Sequence, residues 1–147
     1  MKVLIVFLGL FVIQASFVSY QGDMTRYMAR QAELKFMAEE CASSAAALWD
    51  QEAYGAGEIR FDDEAGREFA RDFLDYRIRD MEGVEDIHLN LTFEDDYAGY
   101  QPGSPPGVPA VTATLVLVCE DVFSLPFLSV TSIQRQSRYE IQENPFV

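Results

Sequence analysis

At 147 residues and a formal net charge of −13, from 24 Asp+Glu against 11 Lys+Arg, the chain repels nucleic acid and anionic headgroups, which excludes a nucleic-acid partner. The length accommodates one domain plus an anchor rather than two domains. Its acidity is not the mark of a disordered segment, because 49% of the residues are hydrophobic, including 11 Phe and 7 Tyr, enough to build a packed core.

The first element is apolar. Val3 to Tyr20 carries no charge, and this stretch falls just inside the range of about 17–25 residues that crosses a bilayer as a helix. A cleaved secretion signal fits less well. Lys2 is the only basic residue before the apolar run, and Phe17 interrupts the small residues of "QASFVS", where a cleavage site would stand. Beyond the run, Tyr20, Met24, Tyr27, Gln31, Leu34, Ala38, Cys41, Ala45 and Leu48 recur at alternating spacings of four and three. That spacing places them on one helical stripe, whose apolar character only Gln31 breaks. Asp23, Arg26, Arg30, Glu33, Lys35, Glu39 and Glu40 fall on the opposite side. The same phase runs back through Phe17, Ile13, Leu10 and Val6. One continuous helix is therefore expected from about Val3 to about Trp49, in preference to a signal anchor followed by an unrelated helix. Residues 1–22 are expected to form its membrane-spanning part, and residues 23–147 a domain that is expected to be extracytoplasmic.

Gly55 and Gly57 break the chain after this helix. "DDEAGREFARDFLDYRIRD" reads as a second, short helix capped by Asp62 or Asp63, with Phe69, Phe73 and Tyr76 on one side and Gly66 as a weak point. "EDIHLNLTFED" alternates as a half-buried strand, with Ile87, Leu89, Leu91 and Phe93 facing one way and His88, Asn90 and Thr92 the other. Tyr97 to Pro109 is rich in Pro, Gly and Ser and reads as an exposed connection suited to contacts. "VTATLVLVCEDV" is apolar enough on both faces to be a central strand. Pro126 then forbids a central ladder position, and "VTSIQRQSRYEIQ" gives a third strand with Ile133, Tyr139 and Ile141 in alternation. The fold class is thus α+β: a long N-terminal helix, its first half in the membrane, packed on an antiparallel sheet of at least three strands, with a second short helix.

Candidate chemistry is sparse. His88 is the only histidine and sits on the polar face of a strand, which excludes a multi-histidine metal site, and no Gly-x-Ser-x-Gly elbow is present. The acids Asp62-Asp63-Glu64 and Glu94-Asp95-Asp96 lack calcium-loop spacing. Helix capping accounts for the first cluster, and a solvated strand end for the second. "NLT" at Asn90 to Thr92 matches a glycosylation acceptor, a pattern short enough to arise by chance. No catalytic residue, cofactor or metal is expected. Cys41 lies on the helical stripe, and Cys119 shares a strand face with Val111, Leu115 and Leu117, so both are expected at the helix–sheet interface. A disulfide between them requires Cα atoms about 4.4–6.8 Å apart and an oxidising compartment; a bridge and two buried thiols both remain open.

The apolar N-terminal helix, its continuation "YQGDMTRYMARQAELKFMAEECASSAAAL" and the closing "VTATLVLVCEDVFSLPFLSVTSIQRQSRYEIQ" together resemble the type IV pilin-like proteins, in particular the TadE/TadG-like minor pilins of tight-adherence pili. The chain departs from such precursors in one place. Gly9 is embedded in apolar sequence and Gln14 stands where an acid is common, which argues against processing at Gly9. The resemblance implies a structural, non-enzymatic subunit or assembly component of a tight-adherence (type IVb-like) pilus or related secretion system. Its partners would be other pilin-like subunits or assembly-platform membrane proteins, and lipid through the helix. The alternative is a membrane-tethered binding module that uses the Tyr97 to Pro109 connection and does not assemble. Topology is contested: Arg26, Arg30 and Lys35 after the span against Lys2 before it favour a cytoplasmic C-terminus, whereas the acidic domain and the resemblance favour export to the cell surface.

Overall fold

A computed structural model describes residues 1–105 and 107–141. The elements are α1 (Lys2–Ala46), α2 (Gln51–Gly55), α3 (Asp63–Ile78), β1 (Val84–Glu94), β2 (Ala110–Cys119) and β3 (Ser132–Glu140). The fold is α+β, with one antiparallel sheet in the order β1-β2-β3. Gln142, expected in the third strand, and Pro106, in the expected connection, lie outside the described residues.

α1 is a single unbroken helix about 67 Å long. It stops at Ala46, three residues short of the expected Trp49, because the chain beyond it is needed elsewhere. The Leu48 carbonyl accepts from Asp62 N, Asp50 N donates to the Arg60 carbonyl, and the Asp50 carboxylate caps the five-residue α2, an element the glycine signal did not announce. Asp62 is the N-cap of α3, and its carboxylate accepts from Ala65 N.

Both α1 and α3 lie on one face of the sheet, α1 against β2 and β3, and α3 against α1 and β1. The core between them joins Leu34, Met37, Ala38, Cys41, Ala42 and Ala45 of α1 to Leu91 and Phe93 of β1, Val111, Ala113, Leu115 and Leu117 of β2, and Ile133 of β3. The central strand is β2, as its two apolar faces required.

The side of α3 that packs inward is not the one its aromatic residues mark. Gly66, Ala70 and Leu74 are buried with Phe73 half-buried, while Phe69 and Tyr76 are exposed. Gly66 is where α3 comes closest to its neighbours. A Cβ there would stand 3.1 Å from the Phe93 ring and 3.3 Å from the Ala45 Cβ. The short side chains on this face let two helices share one side of a three-stranded sheet.

Candidate functional site

The most unusual surface is the N-terminal third of α1. Every large apolar side chain from Val3 to Val18 is exposed, Phe7, Phe11 and Phe17 among them, and none of these is covered by the other described residues. By length and composition this helix can cross a bilayer.

The predicted stripe runs from this naked rod into the core. Tyr20, Met24 and Tyr27 are half-buried, Leu34, Ala38, Cys41 and Ala45 are fully buried, and Leu48 is half-buried just past the helix end. Gln31, the one polar member, is accounted for by its partner: its side-chain oxygen accepts from the Arg135 guanidinium of β3. The stripe is therefore the seam that α1 presents to the sheet, and it begins where the apolar rod ends.

At that point stands a residue that periodicity misplaced. Asp23, expected on the solvent side, is fully buried. Its carboxylate accepts from Ser124 N at 2.8 Å and Ser124 Oγ at 3.2 Å, and it pairs with Arg26 at 2.6 Å. Ser124 belongs to the β2–β3 connection, whose Phe123 stacks on Tyr20 with ring centroids 6.2 Å apart and leans on Tyr27 at 5.9 Å. A signal was present in the sequence: Asp23 lies three residues after Tyr20 and four before Tyr27, on the flank of the stripe. A second tie follows two turns on, where the Arg30 guanidinium donates to the Glu82 carbonyl, and Arg77 of α3 reaches Glu33 at 3.4 Å. Four of the seven charged residues assigned to the solvent side thus fasten the domain to the rod or pair beside it.

At the far end, the acids Glu94 and Asp95 are buried rather than solvated. Asp95 organises the connection after β1, accepting from Phe61 N, Tyr97 N and Ala98 N. Glu94 accepts a forked contact from Arg138 of β3 and a further bond from Gln101 N. The Arg138 guanidinium is the main reason its carboxyl is held below the ordinary carboxylate range. The Tyr97 to Pro109 connection is thus pinned at its start: Tyr97 lies under the Arg60 guanidinium, and Tyr100 donates to Asp96 at 2.8 Å. Burial, reinforced by that acid, pushes the Tyr100 hydroxyl up to about 12.

Cys41 and Cys119 are both buried and both free thiols. They face the same interface from its two layers at different levels. Cys119 lies at the Arg30 end, and Cys41 stands eleven residues, or about 16 Å, further along the helix. Burial, with Glu40 beside it, pushes the Cys41 thiol up to about 12, and burial raises that of Cys119 as well. His88 is exposed on the outer sheet face, 3.7 Å from Asp86. Among the described residues no group of three or more His, Cys, Asp or Glu is placed to hold a metal ion. Compared with known proteins, the chain matches no family model, no curated protein and no solved structure.

Proposed function

We propose that this chain is a structural, membrane-anchored subunit or assembly component, pilin-like in organisation, whose apolar rod packs beside other apolar helices in a membrane or a filament core. The observation that carries the reading is the single unbroken α1: its first third is wholly uncovered, and its last third is the buried spine of the domain. Such a rod transmits the position of the membrane or filament axis to the domain without a hinge. Association between rods would rest on side-chain packing, since apolar helices in lipid gain nothing from water exclusion.

In this reading the acidic domain is extracytoplasmic. The basic residues after the span, Arg26, Arg30 and Lys35 against Lys2 before it, oppose this placement; the acidic domain and the pilin-like organisation outweigh so small a difference in count. A tagged full-length chain expressed in its source cells should be digested by protease added to intact spheroplasts. It should also purify together with other single-pass proteins bearing apolar N-terminal helices. A domain fully protected from protease would reverse the topology. A chain that purifies alone would favour the tethered binding module.

A further inference from the structure

We propose that the β2–β3 connection is a membrane-interface finger, which dips Phe127 and its apolar neighbours among the lipid headgroups beside the point where α1 enters the bilayer. The inference rests on the anchoring reading above and adds a second lipid-contacting element, 100 residues distant in sequence from the first.

Composition sets the connection apart. From Val122 to Ile133 a protein of net charge −13 carries no charged residue, and the stretch includes Phe123, Leu125, Pro126, Phe127 and Leu128. Phe127 is 75% exposed, among the most exposed large apolar side chains outside α1.

The finger is held rather than loose. At its neck the Asp121 carboxylate accepts from Phe123 N at 3.1 Å and Val130 N at 2.9 Å, and Val122 N donates to the Val130 carbonyl at 3.2 Å. At its tip Leu128 N closes a turn on the Leu125 carbonyl at 3.1 Å. A braced loop has given up much of its backbone entropy in advance, which favours burial of the side chains it displays in a ready-made apolar phase.

Its depth is fixed by the contacts along α1. Passing toward the N-terminus, Ala46 lies beside Tyr139 and Ile141, Gln31 meets Arg135, Arg30 meets Glu82, Asp23 meets Ser124, and Tyr20 meets Phe123. The sheet thus descends along the rod, and the finger is its lowest part. Tyr20 is the last large side chain of the apolar run before Gln21, Gly22 and the first charge at Asp23, and a tyrosine there is placed as interfacial aromatics are, at headgroup level. The finger packs on that very ring. Any bilayer that takes up Val3 to Tyr20 meets the finger at its surface. There water still reaches the loop backbone, so the polar groups of an irregular segment stay satisfied while its side chains enter the apolar boundary.

The test is depth-resolved fluorescence of the full-length chain in zwitterionic phosphatidylcholine vesicles, using F127W in a W49F background beside the wild type, whose only tryptophan is Trp49. Trp49 is three residues past the far end of α1, whose Ala46 is about 35 Å from Asp23, and serves as the solvent-side control. The indole at position 127 should be blue-shifted and protected from aqueous iodide. It should be quenched about twofold or more by lipids brominated near the headgroup end of the chain, while Trp49 is unaffected by bromolipid. Vesicle flotation separates the outcomes. A chain that floats while the indole is as open to iodide as Trp49 overturns the finger and leaves the anchor standing. An indole shielded from iodide yet untouched by bromolipid is packed on a second copy, which also overturns the proposal. A chain that does not float removes the anchor and the finger together.

Discussion

The carboxylate of Asp23, at the mouth of the apolar rod, accepts hydrogen bonds from both the backbone N–H and the hydroxyl of Ser124, 101 residues away in sequence. This clamp closes the lower end of the helix–sheet seam. Asp23→Ala would leave the Ser124 donors without their partner at a buried carboxylate site and cost about 1–3 kcal/mol. Chemical unfolding in detergent should register the loss, and amide exchange should accelerate locally over Phe123 to Leu128. Unchanged exchange there would mean that the clamp does not hold the connection.

Two glycines of the helical layer should respond in opposite directions to alanine. At Gly66 a methyl group meets the Phe93 ring and the Ala45 Cβ, the latter fixed to the backbone of α1. The overpacking, typically about 1–3 kcal/mol, should outweigh the gain in helix propensity. At Gly22 a Cβ meets nothing within 4 Å, and Gly22→Ala should stabilise by up to about 1 kcal/mol. Paired thermal melts of the two variants check the signs.

A helix that runs unbroken from the apolar rod into the domain tolerates no proline at their junction. Ala29 is exposed and lies in mid-helix, so Ala29→Pro removes backbone bonding without disturbing the core. The expected cost is about 3 kcal/mol or more, with a kink between rod and domain. A spin-label distance between position 11 and the domain should shorten or broaden. An unchanged, narrow distance with full stability would contradict the single-helix account.

The pairing of the buried Glu94 with the half-buried Arg138 predicts a pH dependence. Because the folded-state carboxyl of Glu94 is lowered, chiefly by Arg138, its stabilisation is present above the ordinary glutamate value of about 4.3. It is lost as pH falls through the lower folded value. Arg138→Ala should therefore cost about 3 kcal/mol near neutrality, where it strands a buried charge, and much less in acid, where Glu94 is protonated. Denaturant melts from pH 7 downward should show the two curves converging.

The two thiols give a redox prediction. Cys41 and Cys119 are free and buried, and burial raises the pKa of both thiols, so neither should react with iodoacetamide in the folded chain and both should react once it is unfolded without reductant. The thermal midpoint should not move on reduction. A chain that unfolds with no modifiable thiol would carry the disulfide that the interface placement left open.

Much of this architecture is written in local patterns. The four–three spacing of Tyr20 through Leu48 locates the seam, the alternation in β1 locates the sheet face, and the double apolar character of β2 locates the centre of the sheet. What periodicity does not carry is pairing between distant polar groups. Asp23, Glu94 and Asp95 have the charge of surface residues, and only Ser124, Arg138 and the Phe61 N–H make their burial affordable. Gly66 illustrates the converse. Its low helix propensity reads as a defect until Ala45 and Phe93 are brought against it.

Photo-crosslinking in source-cell membranes tests the central claim most directly, with a benzophenone side chain placed in the full-length chain at Phe11, in the uncovered rod, or at Tyr97, in the pinned connection. The account predicts discrete protein adducts from position 11, to copies of this chain or to other proteins with apolar N-terminal helices, and none from position 97. Adducts confined to position 97, with only lipid attached at position 11, would contradict it and make the chain a tethered binding module.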